Sequence, residues 1–252
     1  MATLERLRNI VAELRQKCPW DRAQTFESLL PLTWEETAEL IEAIESGQPE
    51  AITEELGDVL LHILFYAQLA EEKGWTNIEA VMQHLTQKLI ARHPHVYGEA
   101  QAQDAKTVIA RWEAIKRAQR GTSALASIPE RLPPLLQAYR LQEKAAALGF
   151  DWATPQALYP KLEEELSELR ASLEAGDYES AAKELGDVLF VIVNLARHLH
   201  LDPERALSAT NQKFKARFAW MEHQAQKDQK NLSSCSSEEL ESYWQASKVF
   251  YP

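Results

Sequence analysis

The sequence predicts an all-α protein made of two tandem copies of one helical-hairpin domain, and three observations carry that prediction. Apolar residues recur at helical spacing in Leu4, Leu7, Val11 and Leu14, in Leu56, Val59, Leu60 and Ile63, and in Leu185, Val188, Leu189 and Ile192. No stretch alternates in the manner of a half-buried strand. Adding 129 to the positions of one charged set in the first half lands on the same set in the second, the mark of a duplicated unit.

In chain order, Gly47 before Gln48-Pro49, Gly74, and Gly176 before Asp177 stand where helices should end and turn. Each glutamate-rich segment therefore belongs to a helical hairpin. The least helical stretch is GTSALASIPERLPP, with three prolines, close to the middle of the chain. The expected organisation is a first repeat over 1–120, a linker over 121–134 and a second repeat over 135–252.

With 252 residues and 45% hydrophobic content, the chain can bury a real core. A net charge of -11 argues against nucleic acid held on a basic surface, because phosphate-backbone binding rests mostly on Lys and Arg. An anionic ligand needs a metal mediator or a local cationic pocket. Cys18 and Cys235 are too few for a disulfide framework, and MATLERLRNI lacks an apolar signal core. The apolar run from Val188 to Val193 is far too short to span a bilayer. The expectation is a cytoplasmic protein with no nucleic-acid or membrane partner.

TWEETAEL places Glu35, Glu36 and Glu39 on one stretch of helix, and KLEEELSEL repeats the spacing with Glu164, Glu165 and Glu168. Like charges at i,i+3 and i,i+4 repel, and these stretches read as having no Lys or Arg partner of their own. The same offset of 129 carries Glu55 and Asp58 of EELGDVLL onto Glu184 and Asp187 of KELGDVLF. With small shifts, Lys88 and Arg92 match Lys213 and Arg217, and Trp112 and Lys116 match Trp244 and Lys248. Two antiparallel helices bring EExxE and ExxD to a common point, since such residues share a helix face. Four or five converging carboxylates need protons or a hard cation, and Mg²⁺ or Mn²⁺ with oxygen ligands is the natural partner. A solvated acidic face is the alternative for a single copy, and duplication weighs against it. Di-iron bundles use Glu-x-x-His, but no histidine here follows a glutamate by three. His93 and His95 lack further ligands nearby for a zinc site.

At these residues the chain resembles the MazG nucleoside triphosphate pyrophosphohydrolases of the all-α NTP pyrophosphatase group. The likeness runs from RLRNIVAELRQKCPWDRAQTFESL through RHPHVYGEA, ARWEAIK, GFDWAT, NLARHL and NQKFKARF to YWQASK. The family's EExxE and ExxD motifs fall on Glu35, Glu36, Glu39, Glu55 and Asp58, and again on Glu164, Glu165, Glu168, Glu184 and Asp187. The resemblance implies Mg²⁺-dependent hydrolysis of nucleoside triphosphates to monophosphate and pyrophosphate. It also implies broad base tolerance, nucleotide-pool housekeeping, and a homodimer whose four-helix-bundle-like cores assemble from both chains.

On that reading Glu165, Glu168, Glu184 and Asp187 are expected metal ligands, with Glu164 a ligand or a water-orienting base. Glu36, Glu39, Glu55 and Asp58 form a second candidate metal set. Lys213, Arg217 and Lys248 suit the far phosphates of a triphosphate. Trp244 suits stacking on any base, and a structural tryptophan is the equal alternative. Asn194 and Asn211 offer amides to a sugar or phosphate, where the first half has Phe65 and Thr86. The second half is therefore expected to be the main catalytic one. Two rivals stay open: a non-catalytic metal-binding helical module, and a single-substrate phosphohydrolase acting on dUTP or phosphoribosyl-ATP.

Overall fold

The computed structural model describes residues 3–98, 108 and 124–251, and every regular element among these is helical. Trp112, Lys116 and residues 121–123 of the expected linker lie outside the described residues. The chain divides into two compact units, Met1–Val108 and Ile109–Pro252.

The first unit holds α1 (Leu4–Lys17), α2 (Pro19–Ala23), α3 (Phe26–Ser46), α4 (Pro49–Glu72), α5 (Ile78–Arg92) and α6 (Pro94–Tyr97). A reciprocal capping box starts α3, in which the Thr25 hydroxyl accepts from Ser28 N and the Ser28 hydroxyl accepts from Thr25 N. Gly47 ends it at φ +67°, a conformation that costs glycine least, and Pro49 opens α4 where its missing N–H is harmless. These two signals fold α3 and α4 into an antiparallel hairpin. The α1 helix lies along α4, tied by the Arg15 fork to Glu72 at 3.0 Å (Nε–Oε1) and 2.6 Å (Nη2–Oε2). Val11, Leu29, Leu64, Phe65, Ala67, Leu69 and Ile78 make the core between them.

The second unit repeats the hairpin with α8 (Tyr159–Glu174) and α9 (Tyr178–His198), preceded by α7 (Pro134–Ala146). It is followed by α10 (Pro203–Lys227) and α11 (Ser237–Phe250). Gly176 turns the hairpin at φ +72°, and the Asp177 side chain caps α9 by accepting from Ser180 N at 3.1 Å. The α7 helix packs across α9, and α11 runs against α10. From Ala124 the expected linker is folded: Ala124–Ser127 is a 3₁₀ turn against α7, and Ile128 is buried.

Ile44, Leu56 and Ile63 of the first hairpin, and their equivalents Leu173, Leu185 and Ile192 in the second, are all between 45% and 58% exposed. Each hairpin thus leaves a matching apolar row outside its own unit's core. No helix among the described residues is long and apolar enough to cross a membrane.

Candidate active site

Helix geometry brings the first carboxylate set together as the motif spacing requires. Glu36 and Glu39 project from α3 and Glu55 from α4, and one oxygen of each lies within 4.8 Å of the others. Glu55 Oε2 is enclosed without a hydrogen-bond partner. Burial, followed by the charges of Asp58, Glu39 and Glu35, pushes the Glu36 carboxyl above its usual range. Burial and the neighbouring carboxylates do the same to Glu55. Asp58 contributes its field here but stands outside the tight trio.

In the second unit the trio is Glu165 from α8 with Glu184 and Asp187 from α9, again within 4.8 Å. Burial raises Glu184, and Glu168, Asp187 and Glu165 add to the effect, Glu168 also through a hydrogen bond. Glu165 is only 5% exposed. Its partner corrects the expectation that these glutamates have no cation of their own. Lys161 Nζ lies 2.7 Å from Glu165 Oε1 and 3.0 Å from Glu164 Oε1, one helical turn before them. Bonds to Glu165 and Glu164 in turn raise the lysine's pKa. The equivalent position in the first half is Leu32.

Both trios fit a hard divalent cation. The donors are carboxylate oxygens alone, they converge from two helices, and burial together with neighbouring carboxylates raises the pKa of at least one member in each. The orphaned Glu55 oxygen is a lone pair awaiting a proton or an ion.

A cleft of about 510 Å³ opens beside the second trio, with Lys161, Glu165 and Asp187 in its lining. Its walls also carry Phe150, Trp152, Leu158 and Phe190, and from there it reaches Asn194 and Arg197. Asp151 sits at that end and gathers three donors: Arg197 Nη2, His198 Nε2 at 3.1 Å and the Trp152 backbone N–H at 2.8 Å. Burial works against its ionisation, yet Arg197, Trp152 and His198 together hold its carboxyl below the usual range. From α7, Gln142 donates to the Phe190 carbonyl at 2.7 Å.

Of the residues expected to bind substrate, Asn194 lines this cleft. Asn211, Lys213, Arg217, Trp244 and Lys248 are not in its lining. Arg217 lies over the Trp244 ring at 5.3 Å and donates through Nε to the Tyr251 carbonyl at 2.8 Å. Trp244 also meets Phe214 at 5.4 Å, so in this structure the ring packs between its neighbours. Asn211 and Lys213 are exposed on α10, and Lys248 is half-buried on α11. In the first unit Phe65, equivalent to Asn194, is buried in the core, and Thr86 bonds its own helix at the Met82 carbonyl. Lys161, Asp151, Arg197 and Gln142 escaped the sequence reading. Lys161 had a local signal there, a lysine three and four residues before the two glutamates, and Asp151 and Arg197 lie within GFDWAT and NLARHL.

Fold and site together define a class: an all-α protein with two hairpin-borne carboxylate centres, one of which opens onto a partly aromatic cleft. The description "MazG nucleotide pyrophosphohydrolase domain" matches residues 24–97 and 153–221. The nucleoside triphosphate pyrophosphohydrolase/pyrophosphatase MazG of Thermotoga maritima is 45% identical over 249 residues, covering 97% of this chain and 95% of that protein. The Escherichia coli K12 nucleoside triphosphate pyrophosphohydrolase is 38% identical, with 98% of each chain covered. YabN of Bacillus subtilis, described as uncharacterized, is 40% identical over 96% of this chain and 50% of its own length. This chain belongs to the MazG nucleotide pyrophosphohydrolase family, with two copies of the domain in tandem.

Proposed function

We propose that this chain hydrolyses nucleoside triphosphates to nucleoside monophosphate and pyrophosphate, with Mg²⁺ or Mn²⁺, broad base tolerance and the chemistry in its second half. The observation that carries this reading is the junction of the Glu165, Glu184 and Asp187 trio with the cleft lined by Phe150, Trp152 and Asn194. Carboxylates at one end and aromatic rings at the other suit a ligand that is charged at one end and planar at the other.

Glu165, Glu184 and Asp187, with Glu168 beside them, would hold the cation. When bound, Mg²⁺ supplies Lewis-acid polarisation of the α-phosphate and activation of water. Glu164, the more exposed partner of Lys161, is assigned as a further ligand or as the group that would orient that water or take its proton. Lys161 would neutralise Glu165 and Glu164 before a cation arrives. Lys213, Arg217 and Lys248 are assigned to the β- and γ-phosphates, and Asn211 to the same end of the substrate. Phe150 and Trp152 take the base.

The first half is assigned a scaffold role that can still hold metal at Glu36, Glu39, Glu55 and Asp58. That assignment is supported by Phe65 standing in the core where the second half has Asn194. It is also supported by His62 at the position of Val191, hydrogen-bonded to Thr33 at 2.8 Å, with Thr33 bonded to Tyr66 at 2.7 Å. The matching outward rows support a homodimer in which each hairpin is covered by helices of a second copy. A cytoplasmic location without nucleic-acid or membrane partners completes the proposal, supported by the net charge of -11.

Product analysis tests the reading. Incubation with ATP, dUTP and the other triphosphates plus Mg²⁺ should release pyrophosphate from many of them. Orthophosphate as first product would refute the bond assignment, one preferred substrate would favour the specialist, and no turnover would favour the non-catalytic module.

A further inference from the structure

Asn194 has its amide orientation fixed from one side. Arg197 Nε donates to Asn194 Oδ1 at 3.0 Å, so the oxygen is engaged and the Nδ2 group is the one left over. Arg197 is itself held, because its Nη2 bonds the Asp151 carboxylate that His198 and the Trp152 N–H also engage. Asp151, Arg197 and Asn194 therefore form a relay along one end of the cleft, and all three line it. A side-chain amide that is free to flip offers a donor or an acceptor. Here Oδ1 is turned to Arg197, so Nδ2–H is the group this amide has left to present.

Position on the helix says what the donor can meet. Asn194 follows Asp187 by seven residues on α9, two turns along the same face, which is roughly 10 Å at ~1.5 Å per residue. A phosphate at the carboxylate trio leaves that distance for a sugar and then a base. Phe150 and Trp152, the exposed rings of the cleft, belong to the same segment as Asp151. Across the cleft, Gln142 uses its Nε2 on the Phe190 carbonyl, and its enclosed Oε1 has no donor. Gln142 is only 6% exposed, so that orphan marks a wall shaped around a polar ligand.

We infer that Asn194 reads the nucleobase by donating its Nδ2–H to an acceptor atom of the ring, with Arg197 and Asp151 as the positioning residues that hold the amide in that sense. This rests on the nucleotide reading of the cleft. Every common base carries at least one ring nitrogen or carbonyl acceptor, so an amide that presents Nδ2–H suits them all, and a ligand with no base forgoes the contact. Broad base tolerance and a preference for a ligand with a base follow from the same contact.

Equilibrium binding separates this from a structural role. Calorimetry with Mg²⁺ would compare the α,β-methylene analogue of ATP with inorganic tripolyphosphate, in wild type and in Asn194→Leu, Arg197→Lys and Asp151→Asn. Loss of one net hydrogen bond should weaken the analogue about tenfold in Asn194→Leu. Arg197→Lys loses the fork that joins two partners and should weaken it ~3- to 10-fold, with Asp151→Asn in the same direction. Tripolyphosphate should change far less in all three, and in turnover the effect should fall on KM rather than kcat. Should Asn194→Leu fail to fold, the other two variants carry the test. Equal weakening of both probes, or none, overturns the inference. A wild type that binds the analogue well above tripolyphosphate yet releases no pyrophosphate from ATP overturns the hydrolase reading and supports this one.

Discussion

Lys161 donates to Glu165 across 2.7 Å, and the equivalent of Lys161 in the first half is Leu32. Only the second cluster has a lysine one turn before its glutamates, although burial and neighbouring carboxylates raise a member of each cluster, Glu36 and Glu55 in the first and Glu184 in the second. An ammonium among the carboxylates competes with a divalent cation for the same oxygens. Lys161→Met should tighten Mn²⁺ binding at the second cluster by roughly 3- to 10-fold, since a like charge is removed from a partly exposed site. Electron paramagnetic resonance of Mn²⁺ would read it, with Glu36→Gln and Glu55→Gln built in so that only the second cluster is counted. Weaker binding would mean that Lys161 preorganises the ligands more than it repels the ion.

Metal removal should abolish turnover, because the carboxylates alone supply neither a Lewis acid nor a cation for the phosphates. Mg²⁺ or Mn²⁺ should restore it. Ca²⁺, larger and more loosely coordinated, should bind and compete without restoring it well. Full pyrophosphate release in excess chelator is the result that removes the clusters from the mechanism.

The duplication provides an internal control. Glu168→Gln and Asp187→Asn preserve size while removing ligand charge beside the cleft, and together should lower kcat on the order of 10²-fold or more. Glu39→Gln and Asp58→Asn, at the equivalent positions, should cost much less, because Phe65 and His62 take the places that Asn194 and Val191 hold beside the second cluster. Rates measured on both double variants decide it, and the reverse order would move the active site to the first half.

How much of this was legible in the sequence depended on range. The hairpins could be read because their signals are local: helical spacing, Gly47 before Pro49, and Gly176 before a capping Asp177. The two carboxylate centres could be read because residues three and four apart share a helix face and an offset of 129 superposed them. Which carboxylates join each trio could not. Glu39 completes the first and Asp187 the second, a difference that an identical motif spacing does not foretell. The cleft was hidden for another reason. Gln142 and Asp151 precede Arg197 by more than forty residues, and only tertiary packing, with α7 across α9, brings them to one space. Lys161 was readable as a partner one turn before the glutamates, and a search for partners after them passes it by.

Asp151 also gives the second unit a pH signature. Its folded carboxyl is held below the unfolded value by Arg197, Trp152 N–H and His198, against the opposing pull of burial. A depressed acid stabilises the fold above its unfolded pKa of about 4, and the contribution disappears as pH falls through the folded value. Asp151→Asn keeps the shape and an acceptor oxygen but has no charge to lose. At pH 7 the wild type should therefore melt ~2–4 °C higher than Asp151→Asn, the shift expected for about 1 kcal/mol in a chain of this size. The gap should begin to close as pH falls towards the unfolded pKa of about 4 and keep closing until the folded carboxyl is protonated, when both proteins carry a neutral group at this position. Other depressed carboxyls such as Glu72, held by Arg15, weaken both proteins equally in acid and cancel in the difference. Paired thermal melts in chelator across that range would measure it. A gap that stayed constant from pH 7 to pH 3 would show that the Asp151 contacts stabilise the unit through hydrogen bonding alone.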